Sequence, residues 1–213
     1  MQTVAVIDYG SSNLRSVSKA LEYVADSHSR ILVSEHAEQI FAADKIVFPG
    51  QGAMGQCMHS LANKGLREVV RESIKSKPFL GICLGLQSLM QESEEDNGTT
   101  GLGIIPGRVI KFATGVKDSQ GQVLKVPHMG WNRVVQERPH TLWKGIESGE
   151  RFYFVHSYYV QAAIEEDIAA TSSYVVDFTA VVARDNLFAT QFHPEKSQQA
   201  GLNLLSNFLQ WKP

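Results

Sequence analysis

A short apolar run ends in a cysteine bracketed by glycines: Lys77-Pro78-Phe79-Leu80-Gly81-Ile82-Cys83-Leu84-Gly85-Leu86-Gln87. The apolar residues after a proline read as a buried strand, and a helical pattern starts immediately beyond them. A strand that becomes a helix within one residue turns so sharply that the middle side chain is pushed out at the carboxyl end of the strand. The positions two before and two after it must then be glycine, because a side chain there would strike neighbouring backbone. This is the Gly-x-nucleophile-x-Gly elbow with sulfur in place of oxygen. The N–H groups that open the helix would face the reacting centre, and their partial positive charge favours a thiolate. The plain alternative is a packed core cysteine.

The segments around the elbow alternate. Residues 4–8 read as a strand that ends in Tyr9-Gly10-Ser11-Ser12, after which Leu14, Val17, Ala20, Leu21 and Val24 recur at helical spacing. Residues 31–33 and 45–48 are further strands, the second stopped by Pro49-Gly50-Gln51-Gly52. A helical stretch over 54–74 has a weak point at Gly65; residues 79–82 form the next strand and 84–91 the next helix. Apolar strands that alternate with helices argue for a parallel sheet covered on both faces. Residues 92–101 are acidic and polar and are expected to be a solvated surface loop. The second half changes character. Residues 109–112, 123–126, 133–136, 153–155, 179–183 and 187–191 are strand-like with few helical patterns between them, and 199–211 reads as a closing helix. The expected fold is therefore α/β: one domain over residues 1–213, a mixed, mostly parallel central sheet flanked by helices, with an added antiparallel portion in the second half.

The 213 residues are 43% hydrophobic and 20% charged, as in soluble globular proteins with one sizeable core, and the net charge of −2 gives no reason to expect a nucleic-acid or acidic-membrane partner. The amino terminus lacks a basic flank and a signal-type apolar run, and no apolar stretch reaches membrane-spanning length. A reducing cytoplasm is the simplest compartment, and a Cys57–Cys83 disulfide is not expected there.

A cysteine nucleophile needs a base. The strongest candidate lies near the other end of the chain, in Ala189-Thr190-Gln191-Phe192-His193-Pro194-Glu195. His193 and Glu195 stand two apart at the end of an apolar strand and can point the same way. A carboxylate beside the imidazole would fix its tautomer and stabilise the imidazolium. His156, in Phe154-Val155-His156-Ser157-Tyr158, is the competing base and ranks second. His128 is a candidate pocket or core residue. No His/Cys pair shows metal-ligand spacing, so no metal is expected. The two glycines of Pro49-Gly50-Gln51-Gly52 permit close approach and positive φ. The loop lacks the residues of a phosphate-binding loop. It is either half of an oxyanion hole, with the Leu84 N–H as the other half, or a plain tight turn.

Taken together, Gly81-Ile82-Cys83-Leu84-Gly85, Pro49-Gly50-Gln51-Gly52 and Gln191-Phe192-His193-Pro194-Glu195 resemble the class I (triad) glutamine amidotransferases. Three further motifs narrow the resemblance. They are the string from Asp8 to Val17, Pro127-His128-Met129-Gly130-Trp131-Asn132, and Tyr153-Phe154-Val155-His156-Ser157-Tyr158. With Glu195-Lys196-Ser197-Gln198 and the Gly201 to Phe208 segment, the chain is similar to the glutaminase-subunit family of imidazole glycerol phosphate synthase. The resemblance runs from Asp8 to Phe208.

The resemblance implies that Cys83 is the nucleophile, His193 the base and acid, and Glu195 the orienting carboxylate. The backbone N–H groups of Gln51 and Leu84 would stabilise the oxyanion. Gly52, Gln87, Ser157 and Tyr158 would lie around bound L-glutamine, and Asn13, Trp131, Tyr153 and Lys196 would lie near a partner subunit. That partner is a TIM-barrel cyclase in a heterodimer, which takes up the ammonia and makes imidazole glycerol phosphate and an aminoimidazole carboxamide ribotide. No residue calls for a cofactor. The chain departs from the family at Gln51, where an apolar residue (commonly valine) is usual, and at Met54, which replaces a common phenylalanine. The departures bear on loop motion, not on the reaction, because the loop acts through its backbone. Two other readings are a class I amidotransferase serving pyridoxal phosphate or anthranilate synthesis, against which the Trp131 motif argues, and a noncatalytic or redox-sensing module, against which His193 and Glu195 argue.

Overall fold

The computed structural model describes residues 1–118 and 120–213. Strand β1 (Gln2–Ile7) leads into α1 (Leu14–Val24), β2 (Ser29–Ser34), α2 (Ala37–Ala42), β3 (Lys45–Gly50), α3 (Met54–Asn63), α4 (Leu66–Ser76), β4 (Phe79–Cys83) and the single turn α5 (Leu84–Gln87). Gly65, at φ 67°, separates α3 from α4, as the weak point in the helical pattern implies. Then come β5 (Glu92–Ser93), β6 (Thr99–Thr100), β7 (Gly107–Lys111), β8 (His128–Gln136), β9 (Glu150–His156), β10 (Tyr158–Ala162), β11 (Ile168–Ser173), β12 (Asp177–Arg184), β13 (Leu187–Thr190) and α6 (Gln198–Gln210).

The sheet runs in the order β2-β1-β3-β4-β13-β12-β10-β7-β5-β6. Pairings from β2 across to β13 are parallel. From β13 through β12 and β10 to β7 they are antiparallel. A branch from β12 passes through β11 and β8 to β9. The fold is thus the expected α/β architecture with an antiparallel addition. Side chains alternate across β1: Val4 and Val6 join one core with α1, α6 and the aromatic rings of the addition, while Ala5 and Ile7 join a second core under α2, α3 and α4. Burial on both faces is why the central strands read as continuous apolar runs.

Three sequence expectations fail locally. The helix expected over 84–91 closes at Gln87, because the carbonyls of Ser88 and Leu89 accept from the N–H groups of Leu102 and Ile104 (2.8 and 2.9 Å) instead of continuing a helix. Residues 123–126 form no strand; Val123 is exposed and makes only an isolated bridge to Lys117. Residues 92–101 are no simple solvated loop: they supply β5, β6 and a 3-10 turn at Glu95–Asn97 that packs against the start of α3.

Candidate active site

Cys83 sits at φ 55°, ψ −105°, a conformation that costs a non-glycine residue about 1–3 kcal/mol and persists because its surroundings enforce it. A Cβ on Gly85 would lie 2.0 Å from the Phe48 carbonyl oxygen, and one on Gly81 would lie 2.8 Å from the Ala189 Cβ. The bracketing glycines therefore let α5 fold back against β3 and let β4 press against β13. Strand β4 lies between those two, and the register pairs Gly50 with Cys83 and Ile82 with Thr190. Three carboxyl-terminal strand ends meet here, where open parallel sheets place their ligands. Gln51 leaves β3, Leu84 leaves β4, and Gln191, Phe192 and His193 leave β13. The Gln191 Nε2 donates to the Cys83 Sγ at 3.7 Å.

The His193 backbone is clamped. Its N–H donates to the Tyr153 carbonyl (2.9 Å), and its carbonyl accepts from the Ser197 Oγ (2.6 Å). Pro194 opens a tight turn that brings Glu195 back to the ring, and the His193 Nδ1 donates to the Glu195 Oε1 at 2.8 Å. Neither side chain has exposed area. The His193 Nε2 and Glu195 Oε2 are buried without a hydrogen-bond partner among the described residues. Burial alone would push the His193 pKa down, but the negative charges of Cys83 and Glu195 outweigh it and raise the pKa well above the usual histidine range. One nitrogen is thus held by a carboxylate. The other is free beside the sulfur.

His156 has neither nitrogen to spare. Its Nδ1 donates to the Tyr158 carbonyl (2.8 Å) and its Nε2 accepts from the His128 Nδ1 (3.0 Å). Burial pushes its pKa down to about 3.

A cavity of about 270 Å³ opens at Cys83; Gly52, Gln87, Ser157 and Tyr158 line it, as do Gln51 and Leu84. Gly52 holds φ 103°, so the loop depends on glycine there. The Gln51 side chain donates to the Ser12 Oγ, tying the loop to the turn after β1. Glu95 also lines the cavity. Its carboxylate accepts from the Met54 N–H at 2.7 Å, and burial raises its pKa. Sequence reasoning missed Glu95 because it stands in an acidic run that looks solvated. Only its contact with α3, 41 positions away, marks it out.

Trp131, Tyr153 and Lys196 form one surface cluster. The Trp131 and Tyr153 rings meet edge-on at 6.0 Å and 75°, and the Lys196 Nζ lies 5.9 Å from the Tyr153 ring centre. Trp131 and the nearby Met129 are 42% and 62% exposed. Asn13 does not share that exposure. Its side chain is turned inward to accept from the Ser11 Oγ (2.6 Å) while its carbonyl starts α1.

The family model for glutamine amidotransferase class-I matches residues 5–211, and the chain belongs to that family. Two solved glutamine amidotransferases share the fold. One has TM-score 0.71 at 17% identity, with 97% of each chain covered. The other, from Thermotoga maritima, has TM-score 0.61 at 14% identity, over 93% of this chain and 78% of its own. Much nearer in sequence is the imidazole glycerol phosphate synthase subunit HisH of Nitrosomonas europaea, 58% identical over the whole of both chains. The subunit of the same name from Nitrosospira multiformis is 56% identical over the whole of both, and that of Methylococcus capsulatus is 55% identical over all of this chain and 98% of its own.

Proposed function

We propose that this chain is the glutaminase subunit of imidazole glycerol phosphate synthase, acting in histidine biosynthesis in the cytoplasm. It hydrolyses L-glutamine to glutamate and ammonia and passes the ammonia to a TIM-barrel cyclase subunit. The observation that carries this reading is the meeting of Cys83, His193 and Glu195 at neighbouring strand ends, in a chain whose full length matches subunits of that synthase.

The Cys83 thiolate attacks the side-chain amide carbon of glutamine. The N–H groups of Gln51 and Leu84, the residues that follow the paired strand ends Gly50 and Cys83, stabilise the tetrahedral oxyanion. His193 protonates the departing ammonia, then takes a proton from the water that cleaves the thioester. Glu195 holds the ring and balances the imidazolium. The Glu95 carboxylate takes the substrate's α-ammonium, and Gln87, Ser157 and Tyr158 form the rest of the pocket wall. Free ammonia is mostly protonated at neutral pH and a poor nucleophile, so direct transfer to the cyclase matters. The cluster of Trp131, Tyr153 and Lys196 is the docking face for that subunit. Gly50 and Gly52 let the intervening peptide planes rotate, so docking aligns the Gln51 N–H. One such donor is worth roughly 2.7–4 kcal/mol, or about 10²–10³ in rate.

Cys83→Ala tests the reading. In the complex it abolishes synthesis from glutamine and leaves synthesis from added ammonium salt intact, because the second reaction belongs to the partner. Loss of both activities in an intact complex rejects this division of labour.

A further inference from the structure

Behind the pocket, buried polar side chains form a chain of hydrogen bonds in which each link has one allowed direction. The Tyr158 carbonyl can only accept, so the His156 Nδ1, 2.8 Å away, carries the proton. A neutral His156 then has a bare Nε2, and the group that fills it is the His128 Nδ1–H at 3.0 Å. That leaves the His128 Nε2 bare, facing the Asn132 Nδ2 at 3.4 Å; the same amide donates to the Ser173 carbonyl at 2.8 Å. Burial keeps both imidazoles neutral, with pKa values pushed down to about 4 for His128 and about 3 for His156. Rings hold them in place: His128 stacks on Tyr174 and Phe154 at 4.0 and 5.1 Å.

At the other end the Tyr158 carbonyl also accepts from the Gln87 Nε2 (2.9 Å), whose second hydrogen goes to the Gln191 Oε1 (3.2 Å). The Gln191 Nε2 in turn meets the Cys83 Sγ. Both amide hydrogens of Gln87 are therefore committed, which leaves its Oε1 for substrate in the cavity that it lines. The orientation of that amide depends on where the Tyr158 carbonyl stands, and the histidine pair holds the carbonyl.

We propose that His128 and His156 are positioning residues for the glutamine pocket, a directed hydrogen-bond relay from Asn132 to the Tyr158 carbonyl that fixes the Gln87 amide beside Cys83. The proposal rests on the glutaminase reading above. Without the His128 donor, the buried His156 Nε2 is left unpaired, and the ring turns to satisfy it, which loosens the Nδ1–H bond to the Tyr158 carbonyl and shifts the pocket wall.

Two substitutions at one position separate hydrogen bonding from packing. His128→Phe keeps a ring between Phe154 and Tyr174 and donates nothing. His128→Asn gives up the ring and keeps an amide N–H where Nδ1 was. Glutaminase kinetics are measured on the complex with the cyclase. In the relay, His128→Phe raises the glutamine KM about tenfold, the size of one hydrogen bond, with kcat changed less, while His128→Asn stays within about threefold of wild type. If packing alone matters, the order reverses, and a KM for His128→Phe at or below that of His128→Asn overturns the proposal. Asn132→Ala, at a partly exposed position, decides the matter if His128→Phe does not fold: a KM raised about threefold supports the relay, and a wild-type KM overturns it. A wild-type complex without glutaminase activity would instead reject the glutaminase reading itself.

Discussion

Both halves of this molecule bury histidines, and they use them in opposite ways. At the carboxyl edge of the parallel strands, His193 has a carboxylate on one nitrogen and a thiol beside the other, and its pKa is raised. In the antiparallel addition, His128 and His156 bond to each other and to a carbonyl among aromatic rings, and their pKa values fall to about 4 and about 3. All three are within a few per cent of full burial. Burial therefore does not decide protonation here. Burial pushes every one of these rings toward the neutral form, and only His193 has negative neighbours strong enough to win. The parallel half is built to move a proton, and the addition is built to keep its protons where they are.

The strongest way to break that contrast is to exchange the roles. Among the described residues, His193→Ala removes the one ring with a free nitrogen beside Cys83, and glutaminase turnover of the complex should fall by about 10²–10⁴. His156→Asn should leave kcat within about tenfold of wild type, because it touches the pocket wall and not the proton path. Steady-state kinetics on the two folded variants settle the order; near-normal turnover in His193→Ala would move the base to His156.

The same contrast extends to carboxylates. Glu195 faces an imidazole, whereas Glu95 faces the pocket and a helix N–H. Glu95→Gln should raise the glutamine KM by about 10–10², the worth of a hydrogen bond to a charged group, with kcat nearly kept. Glu195→Gln should act on kcat instead, lowering it about tenfold, since the neutral amide still accepts from the His193 Nδ1 but no longer balances its charge. A nuclear magnetic resonance titration of His193 in that variant should show a lower pKa. An unchanged value would mean that Cys83 alone raises it.

What the sequence made legible follows from the same physics. The elbow was readable because its glycines stand at fixed places in the motif beside Cys83, even though the contacts that require them come from Phe48 and Ala189, far along the chain. His193 and Glu195 were readable because both lie on one strand exit, two residues apart. Gln87, Ser157 and Tyr158 came only through the family resemblance, and the role of Glu95 stayed hidden because its partner is 41 positions away. The histidine pair was visible only as two competing or pocket-lining rings. Their neutrality depends on β8 pairing with β9 so that His128 stands opposite His156, a register no local pattern announces. The helix that stops at Gln87 failed for a related reason, since distant N–H groups take its carbonyls.

The smallest expected effect tests the contrast without any catalysis. In the unfolded chain a histidine takes up its proton near pH 6.5. His128 and His156 resist protonation in the folded protein until about pH 4 and about pH 3, so between about pH 4 and 6.5 the unfolded state binds more protons. Stability therefore rises with pH across that window, by at most about 1.4 kcal/mol per pH unit for each ring, and is lost on acidification. His193 has the opposite sign. Its folded pKa is raised, so its contribution is complete below about pH 6.5 and is lost as the pH climbs through the folded value. Urea midpoints collected from pH 4 to pH 9 separate the two slopes. His128→Asn should flatten the acid side and leave the alkaline side alone, and His193→Ala should do the reverse. If both variants flatten the same side, the two regions do not differ in how they treat a buried imidazole.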